Sequence, residues 1–386
     1  MSGRLRVFLI AGAVSLMVAI VFYARLTAPI PFPMIKAIAG CAALDPAVRL
    51  ECYGLEIPAL HPAVPISDIF AGITAAQAYD PVLIDCHSIA HRLGEAVVAD
   101  DPDAWAGKML AEGAADACAF GYIHGLTIAV YGDRTYAPED TESGIKRLEG
   151  LCDLPGYGEL MRRSCHHGLG HMLYYLSNAD IDVALRACDR VATRAEDGLF
   201  RRVCYTGVTM KLFTSLEGDE YEDPHGLTEE NAPTFCASLA EERFVHACNR
   251  ARWVLSAERL SDGTDIEAFC ATTDPRETRY CLTKVLHGFA WKYVREPDRM
   301  IALCDRVGPL KAQCLISAAV ERVVSGGGKV AVQDAMRYCE NDASGTCMWE
   351  LAEYGSYLYA DSAQRAEYCS AFDSALETQC VSLAYR

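Results

Sequence analysis

Histidines recur along this chain at spacings that suit a metal ion. They stand in Cys86-His87-Ser88-Ile89-Ala90-His91-Arg92-Leu93-Gly94-Glu95, in Cys118-Ala119-Phe120-Gly121-Tyr122-Ile123-His124-Gly125, and in Cys165-His166-His167-Gly168-Leu169-Gly170-His171. His87/His91 and His167/His171 are i, i+4 pairs, the spacing at which two imidazoles on one helix reach a single ion. Glu95 carries the first stripe one turn further. Six beyond its cysteine, a residue lies roughly 240° round a helix, and two beyond lies near 200°, at about 100° per residue. His124 and His171 take the first offset and His167 the second. If the cysteine side of each helix faces its own partner helix, these imidazoles point away from it. The candidate metal ligands are therefore His87, His91, Glu95, His124, His167 and His171. Imidazole-rich ligation suits zinc, copper or iron, and an open coordination position would permit hydrolytic or redox chemistry on bound water or dioxygen. Tyr122, Tyr174 and Tyr175 are near enough in sequence to line the same hollow.

A plainer reading competes with this one. The His-Gly dipeptides 124–125, 167–168 and 287–288 also suit close helix packing, with glycine admitting a neighbouring backbone and imidazole bonding a carbonyl. His287, which shares the six-residue offset but belongs to a distant repeat, is read as structural, and His166 as facing elsewhere. His61, His225 and His246 carry no signal. A Cys–His nucleophile is rejected because disulfide-bonded sulfur does not attack. No Gly-x-Ser-x-Gly elbow, phosphate loop or dinucleotide fingerprint is present.

The elements that must position these groups are marked by cysteine. Cys248, Cys281, Cys314, Cys347 and Cys380 are each 33 residues apart, and Cys204, Cys165, Cys118, Cys86 and Cys52 continue the series backwards at gaps of 44, 39, 47, 32 and 34. A period in the thirties marks a repeat in which helix pairs stack. Earlier partners precede most of these cysteines, giving Cys41/Cys52, Cys152/Cys165, Cys188/Cys204, Cys236/Cys248, Cys270/Cys281, Cys304/Cys314, Cys339/Cys347 and Cys369/Cys380. Each earlier member ends an amphipathic run and each later member opens another, with turn residues such as Gly308-Pro309 between them. The expected unit is helix, turn, helix, with a disulfide across the turn. Cys86 and Cys118 remain, and are expected to bond each other and tie adjacent units.

The predicted fold is thus all-α, an α-solenoid of about ten clipped hairpins with a 33–36-residue period, either open or curled toward a toroid. It resembles disulfide-clipped helical solenoids such as the cysteine-rich Sel1-like proteins; their Gly and Ala consensus is missing, so the resemblance implies architecture and no activity.

Eighteen cysteines without a C-x-x-C pair point to an oxidising compartment rather than to zinc ribbons or haem attachment. The expected layout is a cytoplasmic N-terminus (1–6), a transmembrane signal anchor (7–24) and a Pro-containing linker (25–38). His-rich repeats follow (39–235) with insertions at 131–150 and 214–235, then regular Cys-paired repeats (236–386). A cleaved signal peptide is the rival reading of the N-terminus. The bulk of the chain is placed in the periplasm or outside the cell, tethered to the membrane by its first helix. A formal charge of −17 excludes nucleic acid as a partner. The acidic insertion 214–235 lacks the alternating ligand spacing of a calcium loop. The rival function is a non-catalytic scaffold binding a protein or envelope polymer on a concave face.

Overall fold

The computed structural model describes residues 32–77, 79–113, 118, 120–132, 135–153, 159–192, 198–213, 225–271, 274–326, 328–358 and 362–383. Every regular element among them is helical. The helices pair as Phe32–Cys41 with Pro46–Glu56, Pro138–Leu148 with Glu159–Leu176, Ile181–Val191 with Leu199–Phe213, and Ala232–Ala237 with Glu242–Ala251. Ile266–Cys270 pairs with Pro275–Lys292, Pro297–Arg306 with Lys311–Gly326, Gly328–Cys339 with Thr346–Leu358, and Ser362–Cys369 with Ser374–Ser382.

Local sequence explains these boundaries. Prolines 46, 138, 275 and 297 open helices at a first-turn position, where a missing N–H leaves no bond unmade. Asp180, Asp274 and Asp373 cap theirs by accepting hydrogen bonds from backbone N–H groups two or three residues on. Thr264 does not form the capping box its spacing to Glu267 suggests; its hydroxyl donates to Asp262 instead. In Ile181–Val191 the buried residues are Ile181, Ala184, Leu185, Ala187, Cys188 and Val191, one stripe at helical period.

Nine disulfides staple the chain. Eight cross the turns within hairpins: Cys41–Cys52, Cys152–Cys165, Cys188–Cys204, Cys236–Cys248, Cys270–Cys281, Cys304–Cys314, Cys339–Cys347 and Cys369–Cys380. The ninth, Cys86–Cys118, joins the starts of the helices His87–Asp100 and Gly121–Tyr131. Cα separations of 5.1–5.8 Å fit the span a disulfide allows. The tightest turn shows how local chemistry serves the clip: Gly345 takes a φ of +73° while Asp342 accepts from the Ser344 and Cys347 amides. Because Cys86–Cys118 encloses the longest loop, replacing both cysteines by serine should lower unfolding free energy by about 3–4 kcal/mol. Thermal unfolding of the double variant checks this; removal of the Cys369–Cys380 clip should cost less.

The second helices stack in succession along the chain from Pro46–Glu56 through Ser374–Ser382, with His87–Asp100 and Gly121–Tyr131 standing between Pro46–Glu56 and Glu159–Leu176. The apolar core divides into one cluster from Met34 to Ala251 and another from Leu260 to Cys380. The early and late helices then meet again. Arg295 pairs with Asp85 at 2.9 Å, Gln77 Nε2 donates to the Ser325 carbonyl at 3.2 Å, and Thr346–Leu358 touches Glu159–Leu176. This meeting creates a polar seam between early and late helices.

One expected segment gains detail, and two fall wholly or partly outside the described residues. Within the expected insertion 131–150, Pro138–Leu148 is an outer helix, with Thr141 donating to the Leu176 carbonyl at 2.7 Å and Ile145 and Leu148 buried. Its polar composition hid it, since a helix covering the stack at one edge buries only a narrow stripe. Of the acidic segment 214–235, residues 214–224 lie outside the described residues; Glu229 accepts from Ser256 and pairs with Arg259. The expected anchor at 7–24 also lies outside them, and among the described residues no helix is long and apolar enough to cross a membrane.

Candidate metal centre

Backbone contact between helices brings the histidines together. A Cβ on Gly125 would lie 1.9 Å from the His91 carbonyl oxygen, and one on Gly121 2.3 Å from that of His87. Gly207 meets the His167 carbonyl in the same way, at 2.1 Å. Helices this close place side chains flanking the contact directly against each other. Close packing and a histidine cluster, read from sequence as rivals, are one device.

The result is a chain of imidazoles. Ring centroids of His124 and His171 are 4.7 Å apart, those of His167 and His171 4.8 Å, and those of His124 and His167 5.3 Å. His87 and His91 flank His124 at 5.2 and 6.3 Å. His124, His167 and His171 each offer a ligand atom within 4.8 Å of the others, so this trio could hold a metal ion. His171 is fully buried and His124 is 3 % exposed.

Hydrogen bonding fixes the tautomers. A carbonyl only accepts, so the 3.1 Å contact from His87 Nδ1 to the Cys118 oxygen puts a proton on Nδ1 and leaves His87 Nε2 as an acceptor. His124 Nδ1, at 3.3 Å from that nitrogen, must then be the donor, which leaves a lone pair on His124 Nε2. That atom is buried and has no hydrogen-bond partner among the described residues, as is also true of His171 Nδ1. His167 bonds the backbone of Val203, and its Nε2 lies 3.2 Å from His171 Nε2. Two nitrogens this close must share a proton or a cation; in a tetrahedral zinc site nitrogens at about 2.0–2.1 Å from the ion lie about 3.3–3.4 Å apart. An imidazole whose second nitrogen bonds a carbonyl is the usual arrangement of a metal-binding histidine.

The electrostatics agree with this chemistry. Burial first, then the neighbouring imidazoles, hold His124 well below the ordinary histidine value. Burial, then His167 and the Lys211 ammonium, do the same to His171. His167 is pushed down to about 3 by burial and the Lys284 ammonium. All three are neutral near pH 7, the form that ligates.

Other expected ligands fall differently. Glu95 sits 3.5 Å from His91 Nδ1 with a side chain 42 % accessible, outside the trio, because it lies two turns along the helix from His87. His87 is committed to orienting His124. Tyr122 points into the core, edge-on to Phe70, and Tyr175 lies beneath the Lys211 ammonium, 5.1 Å from its ring centre. His166 faces away, stacked on Phe200. Lys284, Trp291 and Glu321 carry no sequence signal, and His287, read from sequence as structural, joins them. They belong to late helices brought to the seam, where the Trp291 ring lies 6.3 Å from that of His87. The six-residue Cys-to-His offset shared by His124, His171 and His287 was the one signal available.

The chain matches no protein-family model, and no curated protein or solved structure shows significant similarity to it. Its likeness to Sel1-like solenoids therefore rests on the clip pattern alone.

Proposed function

We propose that this is a membrane-anchored, extracytoplasmic α-solenoid, curled toward a ring, whose central His124–His167–His171 site holds zinc, copper or iron. The observation that carries the reading is the convergence, from two consecutive stacked helices, of three neutral imidazoles on one buried point. Three protein ligands leave a coordination position for water or substrate, the arrangement of catalytic rather than structural sites. Nine disulfides support an oxidising compartment, and the apolar run Val7–Tyr23 after Arg4 and Arg6 supports tethering. The metal reading is preferred to a scaffold that binds a protein or envelope polymer, because Asp85–Arg295 and Gln77–Ser325 join late helices to early ones and leave less open surface between them for such a partner.

Elemental analysis of the full chain, prepared without a His-tag, tests this. The wild type should carry about one equivalent of transition metal, and His124→Ala or His171→Ala about tenfold less, with His246→Ala as an unaffected control. A wild type that takes up no metal when supplied with all three ions would refute it.

A further inference from the structure

The late helices brought to the seam carry a second device. His287 Nε2 lies 3.1 Å from Glu321 Oε2, and Glu321, 2 % exposed, is locked by a 2.8 Å bond from the Ser325 hydroxyl to its other oxygen. The Ser325 carbonyl in turn accepts from Gln77 across the seam, so the carboxylate is held where the halves meet. A carboxylate accepts only, so His287 carries its proton on Nε2 and keeps a lone pair on Nδ1. No hydrogen bond to Nδ1 is made among the described residues, and the side chain is 42 % accessible, although Glu321 beside it is buried. Lys284, His287 and Trp291 form one stripe at i, i+3 and i+7 on Pro275–Lys292. Trp291 meets His87, whose ring lies 5.2 Å from that of His124, and Lys284 and His287 both bear electrostatically on His167, so the stripe lies on the side of the helix near the histidine chain.

We propose that His287, oriented by Glu321, is a proton acceptor facing the metal position, and that the site's ligand is therefore protic: water, or a hydroxyl compound bound through oxygen. This rests on the three-histidine metal reading. A carboxylate that fixes an imidazole tautomer so that its far nitrogen can take a proton is a common catalytic pairing.

The test uses the full chain labelled with 15N-histidine. Long-range proton–nitrogen correlation spectra should show His287 protonated on Nε2 and bare on Nδ1, with Glu321→Ala releasing that bias. Adding Zn²⁺ should shift the Nδ1 resonance of the wild type as metal-bound water donates to it. His287→Gln should leave zinc content unchanged. A proton on Nδ1, an Nδ1 resonance that ignores bound zinc, or loss of zinc in His287→Gln (which would make it a ligand) each overturns the proposal. Failure of the wild type to take up zinc, copper or iron would instead remove the metal reading beneath it.

Discussion

Acidification of the metal-free protein is expected to unlock the centre of the molecule while the disulfide clips stay intact. His124, His167 and His171 are all held below the ordinary histidine value, chiefly by burial and then by nearby positive charge. In the unfolded chain each would take a proton near pH 6.5. Between that pH and its folded value the unfolded state binds more protons, so stability is complete above about pH 6.5 and falls as pH drops, toward about pH 3 for His167. Each histidine contributes up to about 1.4 kcal/mol per pH unit, and three together about 4, against a typical total of about 5–15 kcal/mol. Denaturant midpoints of chelator-treated protein should therefore drop steeply from pH 7 to pH 5. His171→Gln should flatten that slope by about a third. Bound metal should move the window to lower pH, because the ion competes with protons for the same lone pairs. A midpoint that stays level across this range would show that the imidazoles are not buried as described.

The disulfide pattern was readable because a covalent clip across a short turn depends on spacing alone. Sixteen cysteines at turn distance leave Cys86 and Cys118 to each other, and both sit at helix starts where a bridge reaches. The trio was readable for a related reason: i, i+4 spacing and offset from a clipped cysteine fix a side chain's direction on its own helix. What needs contact between remote repeats was not readable. Lys284, His287 and Glu321 reach the site only because Arg295–Asp85 and Gln77–Ser325 join late helices to early ones. Glu95 has a suitable helical angle, but its carboxylate meets His91 at 3.5 Å and stands outside the trio. Pro138–Leu148 was obscured because its apolar stripe is only Ile145 and Leu148 beside Gly144.

Gly125→Ala should be the most damaging single-methyl change among the described residues. The added carbon would sit 1.9 Å from the His91 carbonyl oxygen, a backbone atom that cannot swing aside. The helices His87–Asp100 and Gly121–Tyr131 would have to part, and they carry His87, His91 and His124. Their starts are pinned by Cys86–Cys118, so the strain cannot be relieved by sliding one helix along the other. Overpacking of this kind costs about 3 kcal/mol, more where backbone must move. Moving Gly121–Tyr131 to relieve the clash would also displace His124 relative to His167 and His171 on Glu159–Leu176, and should lower metal content about tenfold. Gly107→Ala is the natural control. It lies in Trp105–Glu112 with nothing within 4 Å of the added carbon, and should stabilise by about 0.5–1 kcal/mol through helix propensity alone. Melting temperature and bound metal should therefore move together at Gly125, and only the first should move, upward, at Gly107. An unchanged melting temperature in Gly125→Ala would mean that the two helices do not touch through their backbones, and the histidine cluster would lose the contact that assembles it.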